Sequence, residues 1–520
     1  MFLDKAKQNP RKNAHRFLST PWKMPLFLEL SVVFLFFFFS LHPAFAFAQS
    51  GLNETVVPFA SADHGDWQIH PKSVQVSRDS TQFSCVAKKN SEYAAIINGK
   101  LQRPFKKIGM GTPIISPNGK HVAYTAYTQG KWHMIVDGQM HSGFKNASPP
   151  MFSPDSNHMA YGVQDGKKQA VVLDGKIGPH FDGILLRPGQ FKFSPDSSKF
   201  AYIVAKDKKM ALVVNGKIGD LYDAVAKPSF SPDGKRHAYT LKKKDHWHVL
   251  ENGKLGPGFD AVDVPLFSPD SKHVAYLAQS GQKMLLVVDG KKNSQWDAIA
   301  NPVFSPDSNH LAYVGVNKNK WFMVIDGEDG ERFDRIGAFK FSPDSKRIAY
   351  SAQDGDDWLM IIDGKKHEEF DIVSIPVFSP DSATFAYAAK KDDRWQVVVN
   401  GTPGPTYDTV TMPVFSPDGS HTVYMAQKSD KWSVIVDGQE GPWFDGTSLA
   451  TFSPDSKHVA YLVKRGQAWS LAVDGVPGEM LFLGGVKGAS LVFDSNTRFH
   501  TLVMGVDGHA FARVDLEIVE

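Results

Sequence analysis

The chain has 520 residues, 42% of them apolar and 22% charged, with a formal net charge of +3. This balance excludes a disordered chain and lacks the basic footprint of a nucleic-acid binder. A lone cysteine, Cys85, excludes an internal disulfide, so buried apolar surface must supply the stability.

Residues 1–48 have the order of a secretory signal peptide. Lys5, Lys7, Arg11, Lys12, Arg16 and Lys23 form a basic leader, and Leu26 to Leu41 is an apolar run. Ala46-Phe47-Ala48 is a small-x-small signal that places cleavage between Ala48 and Gln49. An uncleaved membrane anchor is the alternative, although Glu29 within the run and Pro43 after it favour cleavage. Cleavage removes six Lys/Arg and two Asp/Glu, leaving 58 − 6 = 52 basic and 55 − 2 = 53 acidic residues. The mature chain is thus near neutral, expected in the periplasm or outside the cell and without stable membrane insertion.

Residues 49–76 form an N-terminal segment. Its stretch Asp66-Trp67-Gln68-Ile69 reads as a strand able to close a sheet at the other end of the chain. From residue 77 to 520 the chain is a repeat array. Phe-Ser-Pro-Asp begins at Phe152, Phe193, Phe230, Phe267, Phe304, Phe341, Phe378, Phe415 and Phe452, spaced by 37 residues from Phe193 onward. Weaker copies lie at Ile115, Ser77 and Phe493, which makes twelve repeats. A period of this size marks a solenoid or a propeller.

One repeat, 264–300, predicts four strands and no helix. Pro265 to Ser268 is the first strand, and Pro269-Asp270-Ser271 is a turn in which proline presets φ and Asp and Ser bond nearby N–H groups. His273 to Leu277 is the second strand and Met284 to Val288 the third, joined by a polar tip at Ser280 to Lys283. Asp289-Gly290 supplies the residue types of a tight hairpin. Trp296 to Ile299 is the fourth predicted strand. Neighbouring apolar positions such as Val303-Phe304 and Ala312-Tyr313 predict burial on both sheet faces, which radially packed blades provide. Trp132, Trp247, Trp321, Trp358, Trp395, Trp432 and Trp469 open the third strand and are expected to pack between blades. The fold expected is therefore all-β, a propeller of twelve four-stranded repeats. Propellers usually hold about four to eight blades, which favours two six-bladed rings split near residue 300. One large closed ring is the alternative, because no linker interrupts the spacing there.

The motif Ser-Pro-Asp-[Ser/Gly]-x-x-x-Ala-Tyr, followed by an apolar strand and Asp-Gly, resembles the WD40-like (PD40) repeats of TolB-type β-propellers over residues 77 to about 515. The resemblance implies that the Phe-Ser-Pro-Asp strand lies nearest the axis and the aromatic-Asp strand outermost. TolB proteins also carry an N-terminal α/β domain, for which the roughly 28 residues before the first repeat leave no room. Related repeats form the propeller of prolyl-oligopeptidase-type enzymes, whose hydrolase domain has no counterpart here, and the chain has no G-x-S-x-G elbow.

Candidate chemistry is sparse. The aromatic-Asp pairs from Phe181-Asp182 to Phe444-Asp445 are expected to take backbone N–H bonds within each blade. His121, His158, His273, His310, His421 and His458 recur once per blade, a polar role at a strand edge. His237, His246 and His248 are a weak metal candidate, since zinc requires three or four convergent ligands. No catalytic set and no cofactor fingerprint is present. Tips such as Lys242 to Asp245, Asn317 to Lys320, Asp354 to Asp357 and Lys390 to Asp393 vary from blade to blade, and variable loops on a repeated scaffold carry recognition. The expectation is an exported, non-enzymatic binding or scaffold protein for a protein or envelope component. A hydrolase or lyase at the axial mouth is the alternative.

Overall fold

A computed structural model describes residues 47–49, 52–58, 66–186, 189, 191–505 and 511–519, all within the unit spanning 43–520. The basic leader and the apolar run of the signal segment lie outside the described residues. The cleavage pair Ala48-Gln49 falls in a short strand, Phe47–Gln49, paired with Leu52–Pro58. Among the described residues, no helix is long and apolar enough to cross a membrane.

The described chain folds into twelve antiparallel sheets, one per repeat, numbered here as blades 1 to 12 in chain order. Blade 8 shows the pattern. Its strands a to d are Arg335–Phe341, Ile348–Asp354, Asp357–Ile362 and Lys365–Phe370, hydrogen-bonded in that order. The register pairs Phe341 with Ile348, Tyr350 with Ile361 and Trp358 with Phe370. The predicted fourth strand needs correction. In blade 6, strand d is Lys291–Trp296, whereas Ala298 already begins strand a of blade 7. Asp297 is the corner between blades. In blades 5, 9 and 10, Gly256-Pro257, Gly404-Pro405 and Gly441-Pro442 follow a strand d of only two residues, because proline has no N–H to continue the ladder.

The cores lie between blades rather than within them, as expected for strands apolar on both faces. Twelve buried clusters occupy the joints between consecutive blades. The cluster of joint 8/9, for example, joins Met360, Ile362 and Phe370 to Phe378, Phe385 and Val398, with Trp358 packed against it. Trp321, Trp395, Trp432 and Trp469 likewise pack on the clusters of their own joints.

Two of these clusters decide the number of rings. Joint 6/7 holds an ordinary cluster that links Leu277 and Leu286 to Tyr313 and Phe322, so nothing divides the array near residue 300. The twelfth cluster joins Phe83, Cys85, Ala87 and Ile96 of blade 1 to Val486 and Leu502 of blade 12. Phe83 also meets Phe511 at 4.9 Å. The expectation of two six-bladed rings is therefore overturned: the blades form one closed ring of twelve.

Closure uses a different segment from the expected one. Gln68–Ile69, from the predicted closing stretch, pairs with strand b of blade 1 and opens that blade. The strand that completes blade 12 is Leu52–Pro58, antiparallel to Phe511–Ile518 from Leu52↔Ile518 to Pro58↔Ala512. Cys85 is completely buried, and burial pushes its thiol up to about 12.

Candidate functional site

One face of the ring carries the Ser-Pro-Asp turns, and these are structural. In blade 7 the Ser305 hydroxyl donates to Asp307 (2.6 Å), and Asp307 accepts the Asn309 N–H. The turn's second serine adopts left-handed φ, 68° at Ser308, and its Oγ accepts the Asp270 N–H of the preceding blade at 2.9 Å. The same bond recurs at Ser156, Ser197, Ser271, Ser345, Ser382 and Ser456. Serine hydroxyls and backbone N–H groups hold these aspartates below the usual carboxylate range, at about 2 for Asp196. The recurrent histidines lie on this face. His310 Nδ1 lies 2.6 Å from Asp326 Oδ2, while Asp326 Oδ1 accepts the Leu311 N–H at 2.9 Å. His121, His158, His273, His421 and His458 make the same contact with the turn aspartate of their own blade.

The opposite face carries the tips between strands b and c, and the corner aspartates act there. Asp297 Oδ2 accepts the Lys318 N–H at 2.8 Å, and its Oδ1 takes Lys283 Nζ at 2.5 Å. The N–H belongs to the next blade, so the expectation of bonding within each blade is corrected. All eight aromatic-Asp pairs do the same: Asp182, Asp223, Asp260, Asp334, Asp371, Asp408 and Asp445 each take one N–H from the following tip. The Lys and backbone partners lower the Asp297 and Asp334 carboxyls below their ordinary value. The described tips are tight turns containing left-handed residues, such as Lys318 and Asn319 (φ 50° and 63°). The variable side chains are therefore presented by a backbone anchored to its neighbour.

His237, His246 and His248 do not come together. His237 lies at the start of strand b, its backbone N–H donating to the Asn252 side-chain Oδ1, whereas His246 pairs with Lys243 at the far end of that strand. His248 Nδ1 contacts the Gly256 carbonyl at 3.0 Å, and burial lowers the His237 pKa. Among the described residues, Asp494, His500 and Asp515 do gather ligand atoms within 4.8 Å of one another. That group is already satisfied. His500 Nδ1 meets Asp494 at 2.7 Å and Nε2 meets the Asp79 carbonyl at 2.7 Å, while Arg513 Nε bonds Asp515 at 2.6 Å. With both ring nitrogens engaged and the Arg513 guanidinium already beside the two carboxylates, the group lacks the three free convergent ligands that zinc requires. The group instead locks blade 12 to blade 1.

The resemblance placed the Phe-Ser-Pro-Asp strand nearest the axis, but sequence reasoning missed the residues exposed along its inner edge. Strand a pairs only with strand b, and the a strands of neighbouring blades approach each other, as where Ser229 Oγ donates to the Pro265 carbonyl at 2.6 Å. Their free edges therefore surround the axis. In most blades strand a carries one extra residue that breaks its register, as where Val225 pairs with Leu241 but Pro228 with Tyr239, and in blades 1, 2, 4 and 12 several residues separate the two paired stretches. Such a bulge turns one side chain out of the ladder. In several blades a hydroxyl repairs the gap, Ser374 accepting the Ala388 N–H and Thr411 the Met425 N–H. The extra residues, Met110, Lys227, Val264, Asn301, Ile375, Met412, Leu449 and Lys487, are exposed. Comparing the same position down all twelve repeats would have revealed them.

No family model and no curated protein matches the sequence. Similar solved structures include a eukaryotic initiation factor, at 15% identity over 62% of this chain and 95% of that one with a TM-score of 0.34. TolB from Acinetobacter baumannii aligns at 17% identity over 56% and 78%, TM-score 0.23. The Dos1 propeller aligns at 12% over 54% and 88%, TM-score 0.28.

Proposed function

We propose that this chain is an exported, non-enzymatic propeller of the TolB-type WD40-like repeat class, and that it binds a protein or envelope component through its tip face. The observation that supports this reading is the row of eight corner aspartates, each fastening the tip of the following blade. A row of loops with variable side chains and fixed backbones loses little conformational entropy on binding, as an interaction surface requires. The turn serines, turn aspartates and corner aspartates that repeat from blade to blade satisfy one another across turns and joints, which suits a scaffold better than a reaction centre.

Photo-crosslinking in the producing cell tests the reading. A photoreactive residue at Lys244, Asn319, Asp356 or Asp392, all exposed tip positions, is expected to capture one macromolecule from adjacent tips. The same residue at Lys346, exposed on the turn face, should capture none. Export predicts a mature N-terminus at Gln49. Equal capture from both faces, or none from either, rejects tip-face recognition.

A further inference from the structure

The twelve inner strands share a property that no single blade displays. Their exposed side chains include Met110, Val264, Ile375, Met412 and Leu449, with Met110 92% and Leu449 72% accessible. A second row, two residues further along each strand, exposes Leu266, Val303 and Val414. A soluble protein rarely leaves so many aliphatic side chains facing one space without a partner for them. The charge there is also one-sided. Among the described residues, from the start of strand a to its phenylalanine or equivalent, the twelve segments hold seven Lys or Arg and one acid, Asp263. The whole chain, by contrast, has 58 basic and 55 acidic residues. Lys227, Lys340 and Lys487 are exposed, and Lys192 lies half-buried, 5.7 Å from the Phe230 ring. Burial lowers the Lys192 pKa.

Size narrows the occupant. Twelve sheets spaced at about 10 Å enclose an axis about 38 Å across at most, and side chains on both walls leave about 20 Å. That width admits an α-helix of about 10–12 Å but cannot enclose a small molecule. Single-stranded nucleic acid stacks its bases on aromatic platforms, whereas the exposed residues here are aliphatic. Lysines gathered on low-dielectric walls focus a positive potential along the axis.

We infer that the axial lumen docks an acidic amphipathic helix of a partner protein, its carboxylates meeting the lysines and its aliphatic face covering the exposed Met, Leu, Ile and Val side chains. This surface is separate from the tip face, and either can stand without the other.

The probes are fluorescent amphipathic peptides long enough for about five helical turns, with Leu on one face and either Glu or Lys on the other. A Glu/Ser peptide of the same length and a single-stranded thymidine oligonucleotide complete the set. Anisotropy titration of the purified protein should show the Glu/Leu peptide binding at least tenfold tighter than every other probe. The triple variant K227E/K340E/K487E and the pair Met110→Ser with Leu449→Ser should each weaken it about tenfold, with an unchanged circular dichroism spectrum. The tip variant Asn319→Ala with Asp392→Ala should leave it unchanged. Undetectable Glu/Leu binding, equal binding by the Glu/Ser peptide, preference for the oligonucleotide, or indifference to the lysine reversal overturns the inference. A loss confined to the tip variant would overturn the lumen while keeping the tip face.

Discussion

The arc from blade 3 to blade 11 and the seam between blades 12 and 1 meet the same demand, holding one sheet against the next, with different chemistry. Along the arc each joint carries a corner aspartate that fastens the following tip, and most carry a serine Oγ that accepts an N–H from the preceding turn. At the seam neither device is repeated in that form. There Ser80 Oγ accepts the Ser490 N–H at 2.8 Å, and the buried His500 bridges Asp494 to the Asp79 carbonyl. Blade 12 is itself composite, because its outer strand comes from the N-terminus. The arc gains its cohesion from many equal local bonds. The seam depends on a few unlike contacts between residues some 410 or more positions apart. The lesson is that periodic sequence suffices to propagate a ring, whereas closing it takes a strand from outside the repeat array and residues of the end copies that depart from its pattern.

Removing the closing strand, residues 52–58, is the strongest way to break that contrast. The deletion strips a seven-residue ladder and exposes the pocket of Leu52, so the expected loss exceeds about 5 kcal/mol. Urea unfolding and size-exclusion chromatography should report a lower midpoint and an expanded or associating species. Leaving the midpoint where it was would show that the ring does not depend on its clasp.

Acid and base should act on opposite parts of the molecule. Burial raises the Glu54 carboxyl of the closing strand above its ordinary 4.5, outweighing the Met480 and Glu479 N–H bonds that lower it. A raised carboxyl stabilises the fold below its unfolded value, and that contribution disappears as pH rises through the folded value. The turn aspartates have the reverse sign: their contribution is present above 3.8 and is lost as pH falls toward about 2, as at Asp196. Glu54→Gln should therefore flatten the decline in the urea midpoint above pH 4.5 and leave the acid limb intact. An unchanged alkaline slope in that variant would remove Glu54 as the cause.

A smaller effect sharpens the comparison within the arc. Ser308→Ala removes the bond to the Asp270 N–H while keeping a left-handed residue, and should cost about 1 kcal/mol. Ser308→Gly also removes that bond, but it relieves left-handed strain of similar size, so thermal unfolding should change by less than about 0.5 kcal/mol. Blades 5 and 10 already use Gly234 and Gly419 at this position. Equal losses in the two variants would show that the left-handed backbone carries no strain there.

Blade number, strand order and the apolar joints were legible in the sequence because each depends on local periodicity. Ring number was not, since 37 residues per repeat specify a blade but not the angle between blades. That angle follows from how side chains such as Phe322 and Trp296 fill a joint. The closing strand escaped notice because Glu54 occupies a buried position in the alternation of buried and exposed residues from Leu52 to Val57, so the sequence does not show the apolar alternation that the burial follows. The corner aspartates were visible as a motif, yet their partners lie across a joint, 21 residues ahead in most blades and 25 at Asp182. The three histidines looked convergent only because strand register was unknown. The lumen residues went unread because a bulge residue looks, in one repeat, like ordinary variation.

Cys85 gives the seam a property that no other joint has. It is the chain's only thiol, fully covered between blades 1 and 12, and its environment disfavours the thiolate. A thiol reagent therefore reaches it only while those two blades are apart. The rate of modification under native conditions would time how often the circle opens, with no engineered label and with every other joint silent.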